Sequence, residues 1–313
     1  METFNDIVKQ TERVVKTLGS RWLKDAWQHE EEIGQVLALL SDAESRDVYS
    51  REIMWCFLHT FLKGQLAATM ARMMTQATWL ASVEETVAKN IHPEIEAPAS
   101  ALGTLTYSKT ATFTLGQYRY ADKVGVEAGD TCLDLGACLG DTSLWMLDEG
   151  ASRVHAFEID PTNREHLART LAKKPEYGRI EVVPKAVTNT REPLYLLPNA
   201  YNPGATCISR QKPAAGQFTT IECTTLDDYC RERAIRPDFI KMDIEGAELD
   251  AINGAEAVFT QHRPKFAICI YHSTEHRWQI PLRLAEFCPD YEFYVKKSHP
   301  VFETVFYGRP KNG

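Results

Sequence analysis

The chain has 313 residues, more than one hydrophobic core usually serves, so two domains are expected. Hydrophobic residues make up 44% and charged residues 25%, an ordinary globular composition that excludes disordered, collagen-like and coiled-coil classes. Lys plus Arg number 35 against 43 Asp plus Glu, a net charge of −8 that repels phosphate backbones and argues against nucleic acid as a partner.

The first stretch, METFNDIVKQTERVV, has no basic region leading into an apolar run, so secretion is not expected. Ile7, Val8, Val14, Val15 and Leu18 recur at helical spacing, and Ile33, Val36, Leu37 and Leu40 do so again. Ser41 with Glu44, and Ser82 with Glu85, have the spacing of capping boxes. Between them the run IMWCFLHTFL is too short for the about 20 apolar residues of a membrane span and predicts a buried core helix. Leu66, Met70, Met73 and Met74 extend that helix, and the methionines read as core filling rather than as a partner surface. His92-Pro93 and Ala97-Pro98 then break the helical pattern. Residues 1–100 are thus expected to form an all-helical N-terminal module ahead of a second domain at 101–313.

After about residue 105 short apolar strands alternate with helices. Strands are predicted over 131–135, 153–157, 180–183, 238–242 and 265–271, and helices over 141–149, 162–173, 226–233, 247–259 and 281–287. The closing strands, 292–295 and 304–307, are separated only by 296–303 and predict an antiparallel C-terminal hairpin at the sheet edge. The pattern is α/β, a doubly wound and mostly parallel sheet. Residues 198–216 are rich in Pro, Gly and Ala and are expected to form a long loop, a lid or acceptor-binding arm. The eight cysteines include no CxxC pair, and Cys132 and Cys269 sit in apolar runs, so reduced thiols in a cytoplasmic protein are expected rather than a zinc site.

The densest motif follows the first strand: Asp134-Leu135-Gly136-Ala137-Cys138-Leu139-Gly140-Asp141-Thr142. Gly136 and Gly140 allow close backbone approach to a ligand, and the helix opening at Asp141 presents free amides. The G-x-x-x-G spacing is not the G-x-G-x-x-G of dinucleotide enzymes. Asp134, at the strand's end, is expected to face the ligand; a carboxylate there repels pyrophosphate and suits a sulfonium, favouring S-adenosylmethionine over NAD. The second strand ends in Phe157-Glu158-Ile159-Asp160-Pro161, where Glu158 is placed to accept two ribose hydroxyls and Asp160 to cap a helix. Lys241-Met242-Asp243-Ile244-Glu245-Gly246 ends a strand expected beside the first, and the next strand ends in Tyr271-His272. Asp243, Glu245 and His272 would then form one cluster of titratable groups at the carboxyl ends of the strands. The Asn/Asp-Pro-Pro-aromatic pattern of amine methyltransferases is absent from this strand end.

Taken together, DLGACLGDT at 134–142, AFEID at 156–160 and IKMDIEGAE at 240–248 resemble the FkbM family of S-adenosylmethionine-dependent methyltransferases. TLDD at 225–228, KFAICIYH at 265–272 and ETVFYG at 303–308 add to the match, which covers residues 105–310. SDAESRDV at 41–48 is similar to a helical segment of some members. The resemblance implies a class I methyltransferase (Rossmann-like) sheet and methyl transfer to an oxygen of a sugar, glycan or secondary metabolite. By the same resemblance the donor site comprises Tyr118, Asp134, Gly136, Ala137, Gly140, Asp141, Thr142, Glu158, Ile159, Ala186 and Asp243. Tyr118 also fits a packed loop aromatic, and Ala186 follows the third strand, where the adenine ring lies in this fold.

An alcohol must lose its proton on attacking a sulfonium methyl, and a near-neutral imidazole such as His272 serves that need, with Asp243 and Glu245 beside it. Two alternatives stand behind this base: a divalent ion held by Asp243, Glu245 and His272, possible but not expected, or a purely positional role. Trp278, Lys296, Lys297 and His299 are placed near the acceptor side, Trp278 as apolar packing and the lysines as solvated charge. The rival functions are an NAD-dependent oxidoreductase and a catalytically idle, methyltransferase-like binding subunit. The expected partners are a small-molecule or glycan acceptor and a second copy of the chain through the helical module.

Overall fold

The computed structural model describes residues 29–61, 79–197, 207–214, 217–299 and 303–311. The helix predicted around Ile7 to Leu18, the cluster Leu66, Met70, Met73 and Met74, and the loop residues 198–206 lie outside the described residues.

The main sheet uses β1 (Thr131–Leu135), β2 (Arg153–Phe157), β3 (Ile180–Val183), β9 (Phe239–Met242), β10 (Lys265–Cys269), β11 (Tyr291–Lys297) and β12 (Thr304–Pro310). Between β3 and β9 the described residues form five short strands: β4 (Ala186–Val187), β5 (Leu194–Leu197), β6 (Cys207–Ser209), β7 (Thr219–Ile221) and β8 (Cys223–Thr224). The spatial order is β3-β2-β1-β9-β10-β12-β11, parallel throughout except that β12 runs antiparallel to both β10 and β11. Strand order therefore reverses between β1 and β9, and a crevice opens beyond their carboxyl ends. The central strands are largely apolar, with Asp134, His155 and Lys241 as exceptions, because both faces are covered. Leu133, Leu135, Ile240, Met242, Phe266 and Ile268 pack into one core, while Cys132, Ala156, Phe239, Ala267 and Cys269 pack into the other. The closing hairpin lies at the sheet edge as predicted, with β11 outermost.

The helices are α1 (Glu30–Leu39), α2 (Ala43–Phe61), α3 (79–89), α4 (Leu102–Lys109), α5 (Asp141–Asp148), α6 (Pro161–Leu171), α7 (Leu226–Arg233), α8 (Glu248–Asn253) and α9 (His276–Phe287). Asp160 caps α6 as predicted, accepting from Thr162 N at 2.8 Å and Asn163 N at 3.1 Å. Ser41 does not form the predicted capping box: Asp42 caps α2 by accepting from Ser45 N at 2.8 Å. Ser41 Oγ instead accepts from Phe293 N at 2.9 Å, and Ser41 N donates to Phe293 O at 2.8 Å. With Ser45 Oγ accepting from Val295 N at 3.0 Å, the start of α2 covers the free edge of β11, which would otherwise present unpaired backbone groups. Ser82 lies inside α3 rather than at its cap. Ile33, Val36, Leu40, Tyr49 and Ile53 join the same core as β1, β9 and β10.

Three further differences from the sequence reading have physical reasons. The helix predicted over 247–259 is interrupted after Asn253, at Gly254, which packs so close that a Cβ there would lie 2.3 Å from Thr188 O, and helical turns resume over 256–262. Helix α9 begins at His276 and carries Pro281 inside it. The carbonyl that Pro281 cannot bond, Arg277 O, accepts from the Tyr49 hydroxyl at 3.1 Å. The stretch expected as a loop contains β6, which pairs antiparallel with β5, as does β7. No helix among the described residues is long and apolar enough to cross a membrane.

Candidate active site

A cavity of about 860 Å³ lies at the crevice between β1 and β9. On one side the chain leaves β1 through Gly136, whose φ of +85° and close approach suit only glycine: a Cβ would sit 1.9 Å from Asp243 O. Gly136 N and Ala137 N both donate to Phe157 O, tying this turn to the end of β2. Tyr118, Gly136, Asp141, Thr142, Glu158, Ile159, Ala186 and Asp243 line the cavity, as do Glu245 and His272. Asp134, Ala137 and Gly140 do not.

Asp134 differs most from its expected role. It is fully buried, and its Oδ2 accepts from the hydroxyls of Thr142 at 2.7 Å and Ser143 at 2.6 Å. Its other oxygen lies 3.1 Å from Nζ of Lys241. That ammonium also donates to Gly136 O at 2.7 Å and Leu135 O at 3.2 Å. Burial by itself lowers a lysine pKa, but Asp134 and then Asp243 outweigh it and hold Lys241 above its ordinary value. The Asp134 charge is thus paired inside the protein, and the residue does not line the cavity.

Glu158 does face the cavity. It is 7% exposed and accepts from Asp160 N at 2.7 Å. Burial raises its carboxyl to about 7, with the backbone amide of Asp160 pulling the other way. Asp141, at the start of α5, is also raised by burial and accepts from Ser108 Oγ.

The other end of the cavity is built at the carboxyl ends of β9 and β10. Asp243 Oδ2 accepts from Tyr118 OH at 2.9 Å, and Oδ1 accepts from Tyr271 OH at 3.3 Å. His272 Nε2 lies 3.3 Å from Asp243 Oδ1 and 3.9 Å from Glu245 Oε2. Glu245 adopts a left-handed φ of +56°, a strained conformation of the kind held at functional sites, and the tight turn continues through Gly246. Behind the imidazole, Glu248 is sealed from solvent: Oε1 accepts from Ile244 N at 2.8 Å and lies 2.8 Å from His272 Nδ1, while Oε2 lies 3.4 Å from His276 Nδ1. Burial lowers the His272 pKa, but Glu248, Asp243 and Glu245 overcome it and raise it to about 9.

Glu303 completes this end. It lines the cavity at the start of β12 and accepts from Tyr107 OH at 3.0 Å and from the Gln117 amide. Burial, with Asp243 adding to it, raises its carboxyl to about 7. Sequence reasoning did not single out Lys241, Glu248, Tyr271 or Glu303 as site residues. Their signals were a lysine inside an otherwise apolar strand and the terminal acids of two motifs, IKMDIEGAE and ETVFYG.

None of the four residues expected near the acceptor side lines the cavity. Trp278 packs as expected, stacked on His29 with centroids 4.7 Å apart. The lysines are not solvated charges. Lys296 Nζ donates to Leu115 O at 2.7 Å and Gly116 O at 2.9 Å, clamping the loop that carries Tyr118, and Lys297 pairs with Glu52. The His299 ring lies 5.1 Å from that of Tyr107.

The model of the methyltransferase FkbM domain matches residues 134–296, the span from the first motif to the end of β11. The chain belongs to the FkbM methyltransferase family. An FkbM methyltransferase from Methylobacillus flagellatus is similar in structure, with a TM-score of 0.55 and 20% identity over 92% of this chain. This chain spans 61% of that protein's length. The O-methyltransferase from Bacillus cereus in complex with SAH gives a TM-score of 0.37 at 12% identity, covering 74% of this chain and 91% of that one. Aeropyrum pernix fibrillarin with bound S-adenosyl-L-methionine gives 0.37 at 14% identity, covering 58% and 67%. No curated protein matches the sequence. The FkbM domain therefore sits on the class I, Rossmann-like sheet, and its matched span contains the loop after β1, Glu158, Asp243, Glu245 and His272.

Proposed function

We propose that this FkbM-family chain transfers a methyl group from S-adenosylmethionine to a hydroxyl oxygen of a sugar, glycan or secondary metabolite. The observation that carries the reading is the single cavity joining Glu158 at one end to Asp243, Glu245, His272 and Glu303 at the other. The residues fit such a donor. A buried carboxyl at the end of β2 with free acceptor capacity suits paired ribose hydroxyls, and Ile159 and Ala186 offer apolar surface beside it. The carboxylates at the far end suit a positive charge. The donor, when bound, supplies an electrophilic methyl carbon.

The chain's own groups do the rest. Lys241 and Asp134 lock the β1 turn onto β9, so the two ends of the cavity keep a fixed spacing. Asp243 orients the hydroxyls of Tyr118 and Tyr271. The cluster of Asp243, Glu245 and His272 manages the proton of the acceptor hydroxyl, and alignment of the reacting atoms supplies the remaining acceleration. The reading includes a cytoplasmic enzyme, in keeping with free thiols at Cys132, Cys138, Cys223, Cys230, Cys269 and Cys288.

Calorimetry on the full chain tests the reading. S-adenosylmethionine and S-adenosylhomocysteine should bind and NAD should not, and a labelled methyl donor added to extracts should mark an alkali-stable ether. Binding of NAD alone would instead support an oxidoreductase, and binding of neither an idle, methyltransferase-like subunit.

A further inference from the structure

We propose that Asp243, Glu245 and His272 form a binding site for a divalent cation of the Mn²⁺ class, with Glu248 fixing the imidazole from behind. His272 is 9% exposed in its side chain, and neither ring nitrogen has a hydrogen-bond partner among the described residues: Nε2 lies 3.3 Å from Asp243 Oδ1 and 3.9 Å from Glu245 Oε2, and Nδ1 lies 2.8 Å from Glu248 Oε1. Atoms bound at about 2.1 Å on neighbouring corners of a tetrahedral or octahedral cation stand about 3.0 to 3.4 Å apart. The Asp243 contact has that spacing, and Glu245, with 53% of its side chain exposed, is free to close the remaining distance.

Glu248 has a different role. It lies on the Nδ1 side, 2.8 Å from that nitrogen, with the same oxygen accepting from Ile244 N. A carboxylate on the far nitrogen is how metal-bound imidazoles are oriented and made more basic, so Nε2 is left to the cation. The local charge also calls for one. Lys241 is bound to Asp134 and to two backbone carbonyls, leaving His272 among Asp243, Glu245 and Glu248. One nitrogen and two carboxylate oxygens favour Mn²⁺, Fe²⁺ or Zn²⁺ over Ca²⁺. The site opens into the cavity, so further coordination positions face the place where an acceptor would lie. The cation's purpose, to hold the acceptor oxygen and ease loss of its proton, rests on the methyl-transfer reading; its binding does not.

The test uses the full chain, stripped with EDTA and titrated with Mn²⁺ alone, followed by calorimetry and by the electron paramagnetic resonance of the bound ion. One ion per chain should bind. Asp243→Asn and His272→Ala should each weaken binding by tenfold or more, and Glu248→Gln by roughly tenfold to a hundredfold. Because Glu245 is exposed, Glu245→Gln should keep the fold and the melting temperature while still losing Mn²⁺ affinity. Absence of Mn²⁺ binding, or binding undiminished in Glu245→Gln and His272→Ala, would overturn the proposal. S-adenosylmethionine binding to the stripped wild-type chain, measured in parallel, shows separately whether the methyl-donor reading stands.

Discussion

Lys241 on β9 stands directly across from Asp134 on β1 in the strand register, and their charged atoms are 3.1 Å apart in a region closed to solvent. Lys241 lines the cavity with Asp134 behind it, and the pair joins the two strands at the point where their order reverses. Breaking it from one side should be severe. Lys241→Met leaves a buried carboxylate without its cation and should cost about 3 to 5 kcal/mol of stability. Asp134→Asn combined with Lys241→Met should recover much of that loss, since no net charge is then buried. Urea denaturation of the single and double variants decides it; a double variant no more stable than Lys241→Met would show that the cost lies in packing.

Glu158 sets a pH dependence for donor affinity. Its carboxyl, raised to about 7, accepts ribose hydroxyls best when ionised. Affinity for S-adenosylmethionine should therefore be full above that value and fall as pH drops through it. Glu158→Gln should bind roughly ten- to a hundredfold more weakly, as expected for hydrogen bonds to a charged group, and show a flatter profile. Calorimetry at several pH values checks both.

His272→Ala should leave donor binding within a few-fold of wild type and lower methyl transfer by roughly 10² to 10⁴. The split arises because the imidazole lies at the Asp243 end of the cavity, away from Glu158. Turnover that survives the substitution would remove His272 from the chemistry.

Glu52 of α2 is buried against Arg277, whose Nη2 lies 2.7 Å from it, and against Lys297. Burial opposes its ionisation, yet Lys297 and Arg277 hold its pKa below the ordinary 4.5. A depressed carboxylate contributes stability that is fully present above that ordinary value and is lost as pH falls through the lower folded one. Glu52→Ala should cost about 3 to 5 kcal/mol at neutral pH, because two cations are left uncompensated, and the difference from wild type should shrink in acid. Thermal unfolding between pH 3 and pH 7, taken as about that range, measures it.

Tyr49→Phe removes one oxygen. The Arg277 carbonyl, already deprived of a helical partner by Pro281, then has no replacement for the hydroxyl 3.1 Å away. A loss of about 1 to 3 kcal/mol is expected, read from the denaturation midpoint.

Much of the fold could be read locally. Strands β1, β2 and β3 and helix α7 fall on their predicted residues because each is a short apolar run or capped stretch between turn residues. Gly136 announced the turn after β1, and Glu158, Asp243, Glu245 and His272 were placed at strand ends by spacing alone. The errors share one origin. Ser41 has the spacing of a cap, but the amide that takes its hydroxyl belongs to Phe293, 252 positions away. Pro281 should have begun a helix, and a tyrosine from α2 allows it to lie within one.

By itself, then, the sequence determined which segments are strands, where the crevice beyond their carboxyl ends lies, and which acids stand on that edge, because these follow from periodicity over a few residues. Only the tertiary structure decided what each acid faces. Asp134 meets a lysine 107 positions on and is silenced, while Glu248 turns to His272 and Glu303 comes in from the last strand. Charge acts through space over a few ångströms, and the chain brings distant residues within that range only when the sheet is assembled.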